Sequence, residues 1–475
     1  MRKTTFVLLL CAASAVWGQQ PTPTPPPVAA VDPGNEIGQF KKNCPFTHIV
    51  GCLQVLFTGQ PVHIAAGSIA PQNGFAAGIA YVDQHNNVSG NWRNSWNADA
   101  VVAPNLSWRA GVYLKFVDSR IPDIVIQNGA KGIGSNPTEL PEQPVINVYA
   151  QTITLNKLLF FGLGPASSLA GRSFYGMRET IAGGSYVKPL NNGIHAGLYA
   201  ELNGRWVEIR PPSDGSLPAI QTLYTEATAP GIATQPFFLQ FGAGARIRPD
   251  FGKLHLDYDV AFRPYIATTD TRYTFGRFTV DLQHQFQLYK QGFPLPRDSK
   301  GPDDCSADSA PDPTGLSTTS APAKTCAPQY SRNKVGTLDL RAFTSLSMMN
   351  GSIGSPFYFQ PTLGGGDING TSSLAAYTDY RFRAPNLLLV RETFEHSIGK
   401  WPLGVLLSAD QAKVGLLRGD LGSNPWLHTF TTGLTLRAGG FPMVSVAFAW
   451  GHEGTHILAN VNNSLLGSSS RPSLF

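Results

Sequence analysis

Charge is sparse in this chain: Asp, Glu, Lys and Arg make up 14% of its 475 residues, and the formal net charge is only +5. The Lys and Arg residues are scattered instead of clustered, so no electrostatic footprint for a nucleic acid is present. Long apolar runs are missing too. None approaches the ~18 to 20 residues a spanning helix requires, which excludes a helical membrane protein, and the mean hydropathy of -0.08 argues against a disordered one. Catalytic signatures are equally scarce. There is no Gly-x-Ser-x-Gly elbow, no phosphate-cradling glycine loop opening a helix and no His-Glu-x-x-His, so the chain is expected not to be an enzyme and to carry no cofactor and no metal.

Cysteine is limited to five residues. Cys11 falls within the one hydrophobic block, Phe6 to Trp17, which follows Arg2 and Lys3 and ends in the small-residue pattern of Val16 and Gly18. That arrangement reads as a signal peptide over residues 1–18, with Gln19 starting the mature chain. The remaining four, Cys44, Cys52, Cys305 and Cys326, form two local pairs. In an exported protein these read as two loop-closing disulfides; zinc is the competing reading, with His48 as the nearest additional ligand. Residues 19–61 hold the proline-rich stretch Pro21 to Pro33 and are too few for a separate domain of ~50 residues or more once that linker is set aside.

Glycine (49), proline (37) and aromatics (11%) are plentiful, and between Phe251 and Tyr289 the side chains alternate with a period of two. Leu254, Leu256, Tyr258, Val260 and Phe262 share one parity; Lys253, His255, Asp257, Asp259 and Arg263 share the other. Phe278, Val280, Leu282, Phe286 and Leu288 then alternate with Arg277, Thr279, Asp281, Gln283, Gln285 and Gln287, and only His284 breaks the apolar parity. Successive strand side chains point to opposite faces, so each strand has one apolar and one polar face. A closed barrel in a bilayer accommodates that pattern without any covering layer.

Sixteen runs of this kind are predicted: 62–70, 73–82, 88–102, 105–117, 145–160, 172–188, 193–209, 236–248, 252–266, 272–290, 334–349, 386–398, 402–414, 427–438, 442–451 and 455–466. The expected fold is therefore all-β, a transmembrane antiparallel barrel of about sixteen strands over residues 62–475. The runs 145–160 and 172–188 do not alternate cleanly, and their faces cannot be assigned. Trp92, Trp96, Trp108, Trp206, Trp401, Trp426 and Trp450 sit near run ends or on the apolar parity, as an interfacial girdle requires. Insertions at Pro122–Gln143, Pro211–Gln235 and Pro294–Arg332 read as loops. Counted from a periplasmic N-terminus, only the second falls where long external loops belong. Either the topology is unusual or the count slips by one.

From Pro356 to Val414 the sequence resembles the bacterial surface antigen family of outer-membrane barrels, which includes the BamA and TamA assembly proteins and the two-partner secretion transporters. Leu363, Gly364 and Gly365 match that family's turn into an inward-folded loop, Arg381, Phe382 and Arg383 match its Arg-Phe-Arg element, and Asp410 falls on its strand aspartate. Three other segments look similar: Gly67 to Gly78 (first hairpin), Phe160 to Ser167 (a Gly-rich segment) and Ala447 to Gly454 (the penultimate turn). The family's Arg-Gly-aromatic is replaced by Ala375, Ala376 and Tyr377, and its Glu-aromatic-Arg by Thr393, Phe394 and Glu395, so both halves of one anchoring contact are gone. The loop is then expected to be held through Arg381 or Arg383 to Asp410, Asp379 or Glu395, or these are ordinary lumen charges. The family's periplasmic docking domains are absent from this reading.

The resemblance implies location in the bacterial outer membrane, lipid against the wall, and insertion or transport of a client polypeptide. The alternative is a passive solute channel or structural barrel whose charged lumen is plugged by residues 356–386. A barrel-mouth hydrolase is the third class, although no spacing selects its residues. His255, Asp257 and Asp259 could touch a cation; the plainer account is a lumen stripe facing Arg246, Arg248, Arg263 and Arg277. The terminal Phe475 resembles the aromatic signal by which barrels are recognised for assembly.

Overall fold

The computed structural model describes residues 62–86, 92–118, 144–190, 194–294, 330–349, 351, 353–398, 403–438, 441–461, 472 and 474. The signal peptide, the linker, Trp401, Phe475 and all four cysteines assigned to disulfides lie outside them.

Sixteen strands form one antiparallel sheet in which each strand pairs with its sequence neighbours. They are β1 (Val62–Ser68), β2 (Phe75–Asn86), β3 (Trp92–Val102), β4 (Trp108–Asp118), β5 (Val145–Phe160), β6 (Ser173–Pro189), β7 (Ala196–Arg210) and β8 (Phe238–Ile247). The order continues with β9 (Leu254–Ala267), β10 (Phe275–Pro294), β11 (Tyr330–Met349), β12 (Asn386–Ser397), β13 (Leu403–Gly415), β14 (Leu427–Ala438), β15 (Phe441–Gly451) and β16 (Gly454–Val461). Every predicted run coincides with one strand. The count does not slip, so the topology is the unusual element: β4 and β10, which precede the first and third insertions, are even-numbered and finish at the same end as Val62 and Val461. That end is called terminal below, and the other distal.

The burial pattern is inverted relative to a water-soluble sheet. Ile79, Leu202, Phe430 and Val446 are 65%, 50%, 52% and 51% exposed, whereas Glu179, Arg205 and Gln240 are at most 2% exposed. Burying one large apolar side chain is worth roughly 1.5–3 kcal/mol, so dozens of such residues facing water would be prohibitive. Hydrocarbon removes that cost. Near the distal end Trp206 stacks on Phe237, and Trp450 lies against Phe430 and Phe448 on the same outer surface.

The runs that lacked alternation have a structural cause. In β5 the register with β6 shifts between Leu155 and Leu158, and Leu158, Leu159 and Phe160 are all buried regardless of parity. Phe160 meets Phe357 on one side and Tyr224, from the 211–237 connection, on another. This end of β5 is covered by loops. His284, the parity breaker in β10, stands opposite Leu256 and meets Tyr258 diagonally across the ladder, the tyrosine hydroxyl 2.7 Å from its Nε2.

The connection between β11 and β12 is folded inward as a plug. It touches Pro71 and Gln72 in the first hairpin turn and Glu453 in the last. These contacts bring the two edges of the sheet around toward each other at the distal end. Among the described residues no backbone register joins β1 with β16.

Candidate functional site

The plug is built from two small ladders, Thr362–Leu363 with Phe382–Arg383 and Gly365–Gly366 with Ser372–Ser373. Leu363 and Phe382 are direct partners, so the Leu-Gly-Gly turn and the Arg-Phe-Arg element close on one another. Glycine is required between them. Gly364 has φ +101°, and a Cβ there would fall 2.6 Å from the Arg381 Cβ and 2.9 Å from the Thr378 carbonyl oxygen. At Gly365, φ is +56° and a Cβ would lie 2.7 Å from the Asp379 nitrogen.

An aromatic knot fixes the first part of the plug. Pro356 starts a single 3-10 turn, Phe357–Phe359, whose three rings are at most 2% exposed. Phe357 packs on Phe160 and Tyr175 at 5.2 Å between centroids, and Phe359 packs on Phe238 and Tyr265 at 5.1 and 5.2 Å. Two arginines then engage carbonyls of this turn, of which that of Phe357 also accepts the Gln360 nitrogen at 3.1 Å. Arg383 donates to the Phe357 oxygen at 2.7 Å and to the Tyr175 hydroxyl at 3.1 Å, and Arg277 from β10 donates to the Phe359 oxygen. Arg277 therefore serves the plug more than the open lumen.

Arg381 does not reach Asp410, Asp379 or Glu395. Its Nε donates to both Glu453 oxygens at 2.8 and 3.0 Å, while its two terminal nitrogens reach the Ser167 hydroxyl and carbonyl at 2.8 and 3.0 Å. Arg383, too, goes elsewhere, as described. Asp379 accepts from Gln72 and from the Gly366 nitrogen, and Glu395 accepts from Thr435. The reason is geometric: pairing Phe382 with Leu363 sends its two flanking arginines toward the β5–β6 and β15–β16 connections and the aromatic knot, away from β13.

Asp410 instead receives Arg391 of the neighbouring strand, at 2.7 and 2.8 Å, and the Leu374 backbone nitrogen at 2.6 Å. Arg391 also donates to the Ser372 oxygen at 2.7 Å. Sequence reasoning missed Arg391; its inward parity, shared with Thr393 and Glu395, was the available signal. At the tip, Ala375 and Ala376 pack with Ala449, and Ala376 and Ala449 are 0% exposed. An arginine side chain would not fit there. Tyr377 is buried beside Phe382, ring centroids 5.1 Å apart.

The segments similar to the surface-antigen barrels converge on this plug. Gln72 belongs to the first hairpin, Ser167 to the Gly-rich segment and Glu453 to the penultimate turn, and the Gly164 nitrogen adds a 2.8 Å bond to the Arg383 carbonyl.

The lumen charges form cross-strand pairs. Arg263 donates to Glu201 at 2.7 Å, Glu201 accepts from Gln240 at 2.9 Å, and Gln240 also takes the Arg205 Nε, while Arg205 reaches Glu179 at 2.6 Å. Arg246 and Arg248 flank Asp257, with Arg246 Nε at 2.7 Å. His255 pairs with Asp250 at 3.1 Å, and Asp259 accepts the Tyr199 hydroxyl at 3.3 Å. His255, Asp257 and Asp259 thus point to different partners. Among the described residues no three His, Cys, Asp or Glu side chains converge as a metal site would.

At the plug's turn Asp367 accepts the Asn369 and Thr371 nitrogens at 3.0 and 2.7 Å. Burial nevertheless pushes its carboxyl up to about 6, because the lost hydration outweighs those two bonds and the neighbouring Arg341.

No protein-family model matches the chain, and no curated protein does. Among solved structures, the chain is similar to CdiB from Escherichia coli, at 11% identity and TM-score 0.46, over 82% of this chain and 58% of that one. It is also similar to BamA from Haemophilus ducreyi lacking POTRA domains 1-3, at 9% identity and TM-score 0.44, over 84% of this chain and 69% of that one. The chain thus spans little more than half the length of the CdiB structure.

Proposed function

We propose that this chain is a non-catalytic, polypeptide-handling barrel of a bacterial outer membrane, in which a client strand engages the seam between β1 and β16 instead of passing through the lumen. One observation carries this reading. β1 and β16, of seven and eight residues, are the shortest wall strands, and no register joins them among the described residues. An unpaired strand edge in hydrocarbon leaves backbone groups costing several kcal/mol each, which an added strand would satisfy. The resemblance of residues 356–414 to surface-antigen barrels supports the same reading. In it, the signal peptide directs export, the terminal end faces the periplasm, and lipid contacts the apolar wall.

A passive solute channel is the second reading, favoured by the charged, cross-paired lumen lining. Proteoliposomes separate the two. Covalent closure of the seam through cysteines placed in β1 and β16 is expected to stop the assisted insertion of an unfolded client barrel, followed by protease protection. Insertion at an unchanged rate would end the seam reading. Deletion of residues 364–383 tests the second: a large rise in conductance supports a plugged pore, and unchanged low conductance opposes it.

A further inference from the structure

We propose that the plug tripeptide Asp379–Tyr380–Arg381 is a latch across the distal end of the seam, so that opening the seam and displacing the plug are one event. The inference rests on the seam reading above and names its regulation.

Three successive residues contact both edge hairpins. Asp379 accepts a 2.6 Å bond from the Gln72 amide, and the Tyr380 hydroxyl donates to the Pro71 carbonyl at 3.3 Å; both partners belong to the β1–β2 turn. Arg381 forms a 2.7 Å ion pair with Glu453, in the β15–β16 turn. Three residues of chain span at most ~11 Å of backbone, so one short segment is tied through side chains to both hairpins at once. The backbones also approach closely on both sides. A Cβ on Gly366 would fall 2.6 Å from Pro71 Cγ, and one on Gly451 would fall 3.0 Å from the Ala376 Cβ.

Strain marks the same place. Among the described residues five non-glycine positions have positive φ, and three of them, Gln72 (68°), Leu374 (45°) and Tyr380 (61°), lie at or beside these contacts. Left-handed backbone at residues carrying a Cβ persists only where its surroundings hold it, and it is released when they move. Arg381 couples the latch to the rest of the plug. Its guanidinium is 5% exposed, bonded to Ser167 and stacked 5.2 Å over Phe161 and 4.5 Å over Phe382. A charge-assisted pair shielded to that degree is strong and directional. Pulling either hairpin outward breaks a contact that also positions the plug, and withdrawing the plug frees both hairpins.

The test uses the full chain in nanodiscs with spin labels at two cysteine pairs on the outer surface: Phe75 with Thr455 at the distal end, and Val62 with Ala459 at the terminal end. Gln72→Ala combined with Glu453→Gln cuts the latch at two turn residues outside the plug, and Glu453→Gln alone is a milder version should the double variant not fold. The latch predicts longer and broader distal distances, an unchanged terminal pair, and a more mobile label at Asn369 in the plug. Distal distances that superimpose on those of the parent overturn it, whatever the insertion rate does. Widened distances with unchanged client insertion leave the latch standing and remove the seam reading of function.

Discussion

Arg391 and Asp410 face each other across the β12–β13 ladder, the guanidinium 2.7 and 2.8 Å from the two carboxylate oxygens, and together they hold the plug backbone at Ser372 and Leu374. The wall supplies both charges, and the plug contributes only backbone. Ala375 and Ala376 bring no charge of their own, and the arginine that holds this part of the plug projects from the wall.

Removing that arginine strands a buried carboxylate. Arg391→Ala is expected to cost about 3–5 kcal/mol, the usual penalty for breaking a buried ion pair on one side only. The midpoint of denaturant unfolding in detergent measures it. Adding Asp410→Asn should recover part of the loss, since the amide oxygen still accepts from Leu374; a double variant as unstable as the single one would contradict the account.

Gly364→Ala forces a side chain into left-handed backbone and against Arg381 and Thr378. A strain of about 1–3 kcal/mol is expected, confined to the plug. Ion leak through planar bilayers should rise while the folded barrel keeps its heat-dependent gel mobility. Loss of the folded species would show instead that the plug is needed for the wall to form.

Phe359→Ala empties the centre of the aromatic knot and takes the packing from around the carbonyl that Arg277 binds. A cost of about 3–5 kcal/mol is expected, as for other buried phenylalanines. Phe359→Leu should recover most of it. Protease sensitivity of the plug would report the change.

Docking of the plug should depend on pH through Asp367. Its docked carboxyl titrates at about 6 against an ordinary 3.8, so the neutral form is favoured in place. The stabilisation is fully present below pH 3.8 and is lost as pH rises through about 6. Relative to Asp367→Asn, which stays neutral, the parent plug should become easier to cleave by protease across that window. Parallel curves for the two proteins would refute it.

The strands were legible because a wall between lipid and a polar interior imposes a period of two on every segment crossing it, as Leu254–Arg263 and Phe278–Leu288 show. That alternation set the strand number, their order and the outward face. It failed in β5, where the plug and the 211–237 connection bury Leu158, Leu159 and Phe160 on both faces. The motif segments around Leu363 and Arg381 identified the plug and the Asp410 that holds it, but not the partners of its arginines.

Those pairings belong to the tertiary structure alone. Gln72 lies 307 residues from Asp379, and Arg381 lies 214 from Ser167. Nothing in a local pattern relates residues so distant, because their meeting depends on how far the sheet curls and how deep the plug sits. Alternation is a property of each strand in its solvent, and the chain carries it residue by residue. Which arginine meets which acid is decided only when sixteen strands have taken their register and the plug has filled the space they leave.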